Sequence, residues 1–271
     1  MANGTVPDVA PPVRPADLER AGAWLAGHGL AEARPTPLLA MRLTARRQRR
    51  LAAAVLLAAF LILVALAYTG ALGGSGAYRR WSLLAVAALV AGLVLAQALL
   101  DRWVRRVDRR AGATLRRRAA HPVRLGWRTV LGVPHAAFAV TTFVGAAVLA
   151  IGVLTVRDPM ARYAALILLI GLGGLAAGVV VQLRHILTHA VVADDADSLT
   201  ADVVMRVEDA RDVAVPTVVW SLPVVSVFST AFGWWNVAWI GFVVLSVVAL
   251  ALIDRRSPRS GVVARRATGA R

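Results

Sequence analysis

The chain has 271 residues, 58% of them hydrophobic, a formal net charge of +16, no cysteine and no lysine. Without cysteine it forms neither disulfides nor thiolate metal sites, and without lysine it cannot build a Walker-type phosphate loop of its own. The apolar excess over the ~45–50% of soluble domains is gathered in blocks of the roughly 17–25 residues that span hydrocarbon as a helix. The expected fold class is therefore all-α, a polytopic membrane protein.

Residues 1–50 read as a polar N-terminal segment. Residues 1–14 carry three prolines and are expected to be disordered. Residues 16–33 are expected to form an amphipathic helix, capped by Asp17, with Leu18, Ala21, Trp24 and Leu25 on one face. No short apolar region follows a basic start, so no cleavable signal peptide is expected. The run RLTARRQRR at 42–50 reads as a basic stop before the first apolar block.

Six apolar blocks follow, at 51–69, 81–100, 135–156, 161–183, 213–232 and 235–253. They predict a transmembrane domain over 51–253 built as three helical hairpins, whose spacing is compatible with a repeated unit. Arg162 is the one Asp, Glu, Lys or Arg inside them. Pro134, Pro159 and Pro216 suit first helical turns, where a missing N–H costs nothing, with Asp158 as a cap before Pro159. Pro223 is expected to kink the fifth span, with Ser221, Ser226, Ser229 and Thr230 near the freed carbonyls. Helices in lipid meet through small residues, which places Gly171, Gly174 and Gly178 of the fourth span, and Ala88, Gly92 and Ala96 of the second, at helix contacts. Gly73-Gly74-Ser75-Gly76 reads as a flexible turn between the first two spans.

Between the second and third spans, residues 101–118 pair a thin apolar stripe (Trp103, Val107, Ala111, Leu115) with a cationic surround. Arg105, Arg106, Arg109, Arg110, Arg116, Arg117 and Arg118 are expected to meet anionic lipid headgroups, at ~1 kcal/mol each near the surface. The 101–134 stretch has ten Arg against two Asp, net +8, and the 184–213 stretch has three Arg against seven acids, net −4. The two are expected to dock on each other. Residues 200–212 read as a helix with Val203, Val204, Val207 and Ala210 on one face and Asp202 and Arg206 as an i,i+4 pair, lying at the membrane surface. His185 and His189 share a helical face just before Asp194 and Asp195, a set with divalent-metal chemistry. It lacks the glutamate of HExxH and the Gly and distal Glu of an EF-hand loop, so no metal is assigned.

Sidedness follows from arginine. Of 31 Arg, 27 fall on the side that holds both termini, including the basic tail at 254–271. The positive-inside rule then puts both ends in the cytoplasm. Tyr68, Tyr78, Tyr163, Trp81, Trp234, Trp235 and Trp239 form the expected outer aromatic belt, and Trp103, Trp127 and Trp220 the inner one. Arginine without lysine, among abundant Ala, Val, Leu and Gly, suggests GC-rich coding and a bacterial plasma (inner) membrane.

No catalytic residue and no cofactor is assigned. The arginines flank apolar blocks rather than base-reading aromatics, so no nucleic acid is expected. Without ionisable groups at membrane depth, a proton-coupled transporter is disfavoured. The expected protein is a non-enzymatic accessory or scaffold component acting through cytoplasmic segments. Its partners are the lipid bilayer and a homo-oligomer or membrane complex. The alternative is a permease-type transport subunit energised by a separate ATPase.

Overall fold

The structure is a computed structural model, and it describes residues 14–72, 76–113, 126–157, 159–188, 195–215, 217–222 and 234–269. Those residues are helical or connecting, with no strand among them. The helices are α1 (Pro15–Gly27), α2 (Pro37–Leu72), α3 (Gly76–Ala113), α4 (Trp127–Val130), α5 (Val133–Leu154), α6 (Pro159–Thr188), α7 (Ala196–Ala214), α8 (Thr217–Ser221), α9 (Trp234–Arg256) and α10 (Ser260–Thr268).

Among the described residues, five stretches are long and apolar enough to cross a membrane: Pro37–Ala67, Leu84–Arg110, Val133–Leu154, Ala161–Thr188 and Trp235–Arg256. They are the first, second, third, fourth and sixth of the expected blocks. The fifth block, at 213–232, lies largely outside the described residues, Pro216, Pro223, Ser226, Ser229 and Thr230 included. Residues 1–13, Gly73 to Ser75 and Asp158 lie outside them too.

The helices overrun the apolar blocks. Helix α2 starts fourteen residues before Leu51, because 37–50 has strong helix formers and no glycine or proline after Pro37 to stop it. At 1.5 Å per residue its 36 residues reach ~54 Å, well beyond the ~30 Å of hydrocarbon. Helix α3, with 38 residues, carries the second span straight into the basic segment. The molecule therefore has two storeys made partly of the same rods.

In the apolar storey, Phe60 and Val64 of α2, Val86, Val90 and Leu93 of α3, Ala146 and Ala150 of α5, Leu168 and Leu172 of α6, and Trp239 of α9 form one buried core. Val55, Ile62, Val148, Ile170 and Leu245 point outward and stay exposed, as lipid-facing side chains do. A Cβ on Gly171 would stand 2.7 Å from Val90, and one on Gly174 would stand 3.0 Å from Val94. Those two glycines let α6 close on α3. Gly178 faces open space. The second-span stripe is not a contact: Ala88 and Gly92 are exposed, and α3 packs instead through Val86, Val90 and Leu93. Trp239, expected in the outer belt, is 2% exposed inside the core, edge-on to Phe242 at 5.8 Å. Its large apolar area outweighs the interface preference of the indole N–H.

The polar storey is centred on α7. Asp195 opens this helix with a capping box: its carboxylate accepts from Ser198 N at 2.7 Å, and Ser198 Oγ accepts from Asp195 N at 3.0 Å. Val203, Val204, Val207 and Ala210 are buried as the spacing predicts. Far from lying on a surface, however, α7 is enclosed by α6, α10, α1, α2 and the start of α5. Helix α1 is shorter than expected, ends at Gly27, and has Arg14 rather than Asp17 at its N-cap. Asp17 pairs with Arg20 instead. The tail is not merely basic: α10 buries Ala264 against α7.

Candidate functional site

The polar storey is held by six charges from three helices. On α2, Arg42 and Arg46 are one turn apart and share a face. On α7, Asp202, Arg206 and Asp209 repeat at i, i+4 and i+7, and Asp108 comes from the overrun of α3. They alternate in one line. Asp209 accepts from Arg46 Nη2 at 2.7 Å, and Arg46 Nη2 also reaches Asp108 at 3.2 Å. Asp108 accepts from Arg42 Nε at 3.0 Å, and Arg42 Nη2 donates to Asp202 at 2.7 Å. Asp202 accepts in turn from Arg206 Nε at 2.8 Å. Three guanidiniums thus face three carboxylates. Asp202 is 0% exposed and Arg42 5%, so the neutral sum is what makes this burial tolerable.

The line is anchored at both ends. Arg206 also donates to the Ile186 carbonyl at 3.4 Å, one of the last carbonyls of α6 that lack an intrahelical partner. Arg49–Asp101 at 2.8 Å and Arg50–Asp212 at 2.7 Å extend the pairing toward the spans. Burial pushes the Asp212 carboxyl above its ordinary value, against the pull of Arg50. On the other flank, Glu208 accepts from Trp24 Nε1 at 3.3 Å and meets His28 Nε2 at 2.8 Å, fastening α1 to α7. Five of the six charges, all but Asp202, line with His185 and Ile186 a small cavity of about 30 Å³, room for a water. Every carboxylate in the line accepts from a guanidinium. The arrangement suits a clamp rather than an open ligand site.

The two segments expected to dock do pack together, Val130 and Leu131 against Val203, Val204 and Val207. Among the described residues, however, Asp202, Asp209 and Asp212 form their ion pairs with Arg42, Arg206, Arg46 and Arg50. Arg105 donates to Gln182 of α6, while Arg106, Arg109 and Arg110 are exposed, and Arg116, Arg117 and Arg118 lie outside the described residues. The stripe on α3 is offset as well: Val104 is buried, and Trp103 is 37% exposed. Of the imidazole–carboxylate set, His185 lines the small cavity and Asp195 is engaged as the α7 cap, its carboxyl held below its ordinary value by the Ser198 hydrogen bonds. His189 and Asp194 lie outside the described residues, and no group of three or more candidate ligands gathers among those that are described.

The sequence did hold a sign of this line. Asp101-Arg105-Asp108 and Asp202-Arg206-Asp209 share the spacing D-x3-R-x2-D, and Arg42, Arg46, Arg49 and Arg50 repeat on one helical face. Two acidic ladders and one basic ladder of matching period are the mark of three helices packed through charge.

A second polar region lies where the start of α5 meets the end of α9. His135 Nε2 meets Asp254 at 3.1 Å. Beside it α4, α7 and α10 enclose a cleft of about 700 Å³ lined by Arg128, Arg211, Arg256 and Arg266. A third cavity, about 420 Å³, sits between the spans below Arg49 and Arg50, lined by Leu57, Val94, Gln97, Phe143 and Gly178.

No protein-family model matches the chain, and no curated protein or solved structure is significantly similar to it.

Proposed function

We propose that this chain is an accessory or scaffold protein of the bacterial inner membrane, non-enzymatic, with its polar storey in the cytoplasm as a rigid platform for a membrane-complex partner. The observation that carries the reading is the neutral six-charge line, which ties α7 to the ends of α2, α3 and α6. Such a clamp fixes a helical layer on the spans, and it leaves the outer faces of α1 and α10 exposed. A layer meant only to orient the spans has no use for buried, matched charges, since exposed arginines suffice.

In this proposal the spans number six, as three hairpins, with both termini cytoplasmic. Supporting it, α9 ends at the polar storey through His135–Asp254, while Trp235 at its start lies by Gly152, at the far end of α5. Helix α7 ends in the polar storey and α9 begins at the opposite end of the bundle, the pattern that a further span at 213–232 would give. Leu222 already lies beside Gly171, at mid-span. Single cysteines placed at Arg20, Ser75, Asp158 and Gly269 of this cysteine-free chain test the topology with a membrane-impermeant maleimide. Labelling of Ser75→Cys and Asp158→Cys from outside, and of the other two only after permeabilisation, is the expected pattern. Any other pattern rejects it.

The scaffold reading is tested by purifying the full chain in native-lipid particles and measuring mass by light scattering. A defined complex, homomeric or with a second protein, is expected; a bare monomer overturns the reading. The 420 Å³ cavity between the spans favours the second reading, a permease-type subunit. Co-purification of an ATPase whose turnover depends on this chain would replace the first reading with the second.

A further inference from the structure

The cleft between α4, α5, α7, α9 and α10 differs from every other polar feature of the polar storey. Four guanidiniums line it, those of Arg128, Arg211, Arg256 and Arg266, and among the described residues no carboxylate does. Asp254 and Glu208, which attract Arg211, do not line the cleft and are also engaged by His135 and by His28 and Trp24. Arg211 donates one Nη to the Pro258 carbonyl at 3.0 Å, and its Nε is buried with no hydrogen-bond partner. Burial holds its pKa below the ordinary value, outweighing the attraction of those two acids.

The cleft's floor adds backbone donors. Gly132 sits at φ +77 and turns the chain into the 22-residue α5 with no side-chain cap. The first-turn N–H of His135, which lines the cleft, has no intrahelical acceptor, and the positive end of the helix dipole lies there. At about 700 Å³ the cleft falls in the size range of small-molecule sites. It sits level with the ends of α5 and α9, where Trp127 is 44% exposed and Leu252 48%.

We propose that this cleft is a binding site for a phosphate-bearing anion, held by Arg128, Arg211 and Arg266 through charge-assisted hydrogen bonds. Arginine forks match phosphate oxygens in pairs. A phosphate dianion would supply the negative charge that the cleft lining lacks. The same chemistry is offered by a phospholipid headgroup in the inner leaflet and by a soluble phosphorylated molecule. The proposal goes beyond the scaffold reading and does not depend on it.

The test uses the full chain in nanodiscs. In one arm, inorganic pyrophosphate is titrated into discs of phosphatidylcholine alone and binding is followed by calorimetry. In the other arm, native mass spectrometry counts phosphatidic acid retained from mixed discs. Arg128→Gln/Arg266→Gln removes two exposed cleft arginines, and Arg34→Gln/Arg47→Gln removes the same charge from exposed positions outside the cleft. Arg256→Gln serves as a second cleft variant if the double variant unfolds. We expect at least tenfold weaker binding in the cleft variants and less than twofold in the control. Pyrophosphate binding assigns a soluble ligand, and retention of the lipid alone assigns a headgroup; both support the site. Equal losses in cleft and control variants, or no binding in either arm, overturn it.

Discussion

Two regions of the polar storey are built from arginine and treat it in opposite ways. In the six-charge line each guanidinium faces a carboxylate, and the set is buried and neutral. In the cleft four guanidiniums face no lining carboxylate, and Arg128, Arg256 and Arg266 stay exposed. The same residue type thus serves cohesion where it is matched and recognition where it is not. What separates the two roles is the partner inventory, since desolvation is tolerable only for a charge that is already paired.

The largest effect expected is in the line. Asp202→Ala strips Arg42 and Arg206 of their shared carboxylate and should cost about 3–5 kcal/mol, read as a fall in the unfolding midpoint of the detergent-solubilised protein. Asp202→Leu/Arg206→Met should recover most of that loss, because Arg42 and Arg46 keep Asp108 and Asp209 and the charges that remain are matched. A double variant as unstable as the single one would show that the line is not a closed balance.

The next effect tests the rods that bring the line together. Gly171→Val should clash with Val90 and cost about 1–3 kcal/mol, whereas Gly178→Val, facing open space, should change the midpoint little. Equal effects would mean that α6 does not seat on α3 as described.

Smaller still is the cap of the hub. Asp195→Ala should cost about 1 kcal/mol at neutral pH. The Asp195 carboxyl lies below its ordinary value in the folded chain. Its contribution is therefore full above the unfolded-state pKa and fades as pH falls through the lowered one. Wild type and variant should converge in acid, and a gap that widened there would reject the assignment.

The smallest effect expected is at the cleft. Without ligand, Arg128→Gln/Arg266→Gln relieves like-charge repulsion and should stabilise by no more than about 0.5 kcal/mol at low salt. The gain should vanish in ~0.5 M salt, where the Debye length falls to a few ångströms. The cost of Asp202→Ala, by contrast, should hardly move. A salt dependence of equal size in both would erase the distinction between the two regions.

Much of this was legible in the residues. Hydropathy marked the spans, Pro134 sits in the first turn of α5, and the Val203–Ala210 face of α7 is buried where its spacing puts it. The candidate site was legible only in part. Arg42 to Arg50 read as a stop signal because they stand beside an apolar block, yet three of them find carboxylates on α7 that are 160, 163 and 162 residues away. Net charge per segment carries no information on which side chain faces which, so the 101–134 arginines looked the better match for the acids. Small-residue spacing likewise identified Gly171 and Gly174 but not the exposed Ala88–Gly92 stripe, because spacing is shared by both sides of a helix and only a neighbour selects one.

The distance along the chain between Arg46 and its partners also sets a schedule. Domains assemble as they are synthesised, at roughly 5–20 residues per second. Asp108 emerges 62 residues after Arg46, whereas Asp209 follows only after 163. For about 100 residues of synthesis, roughly 5–20 s at that rate, Arg42 and Arg46 must share the single carboxylate of Asp108. Until α7 emerges the line therefore has two guanidiniums for one carboxylate, and its set of partners is complete only once Asp202 and Asp209 have been made.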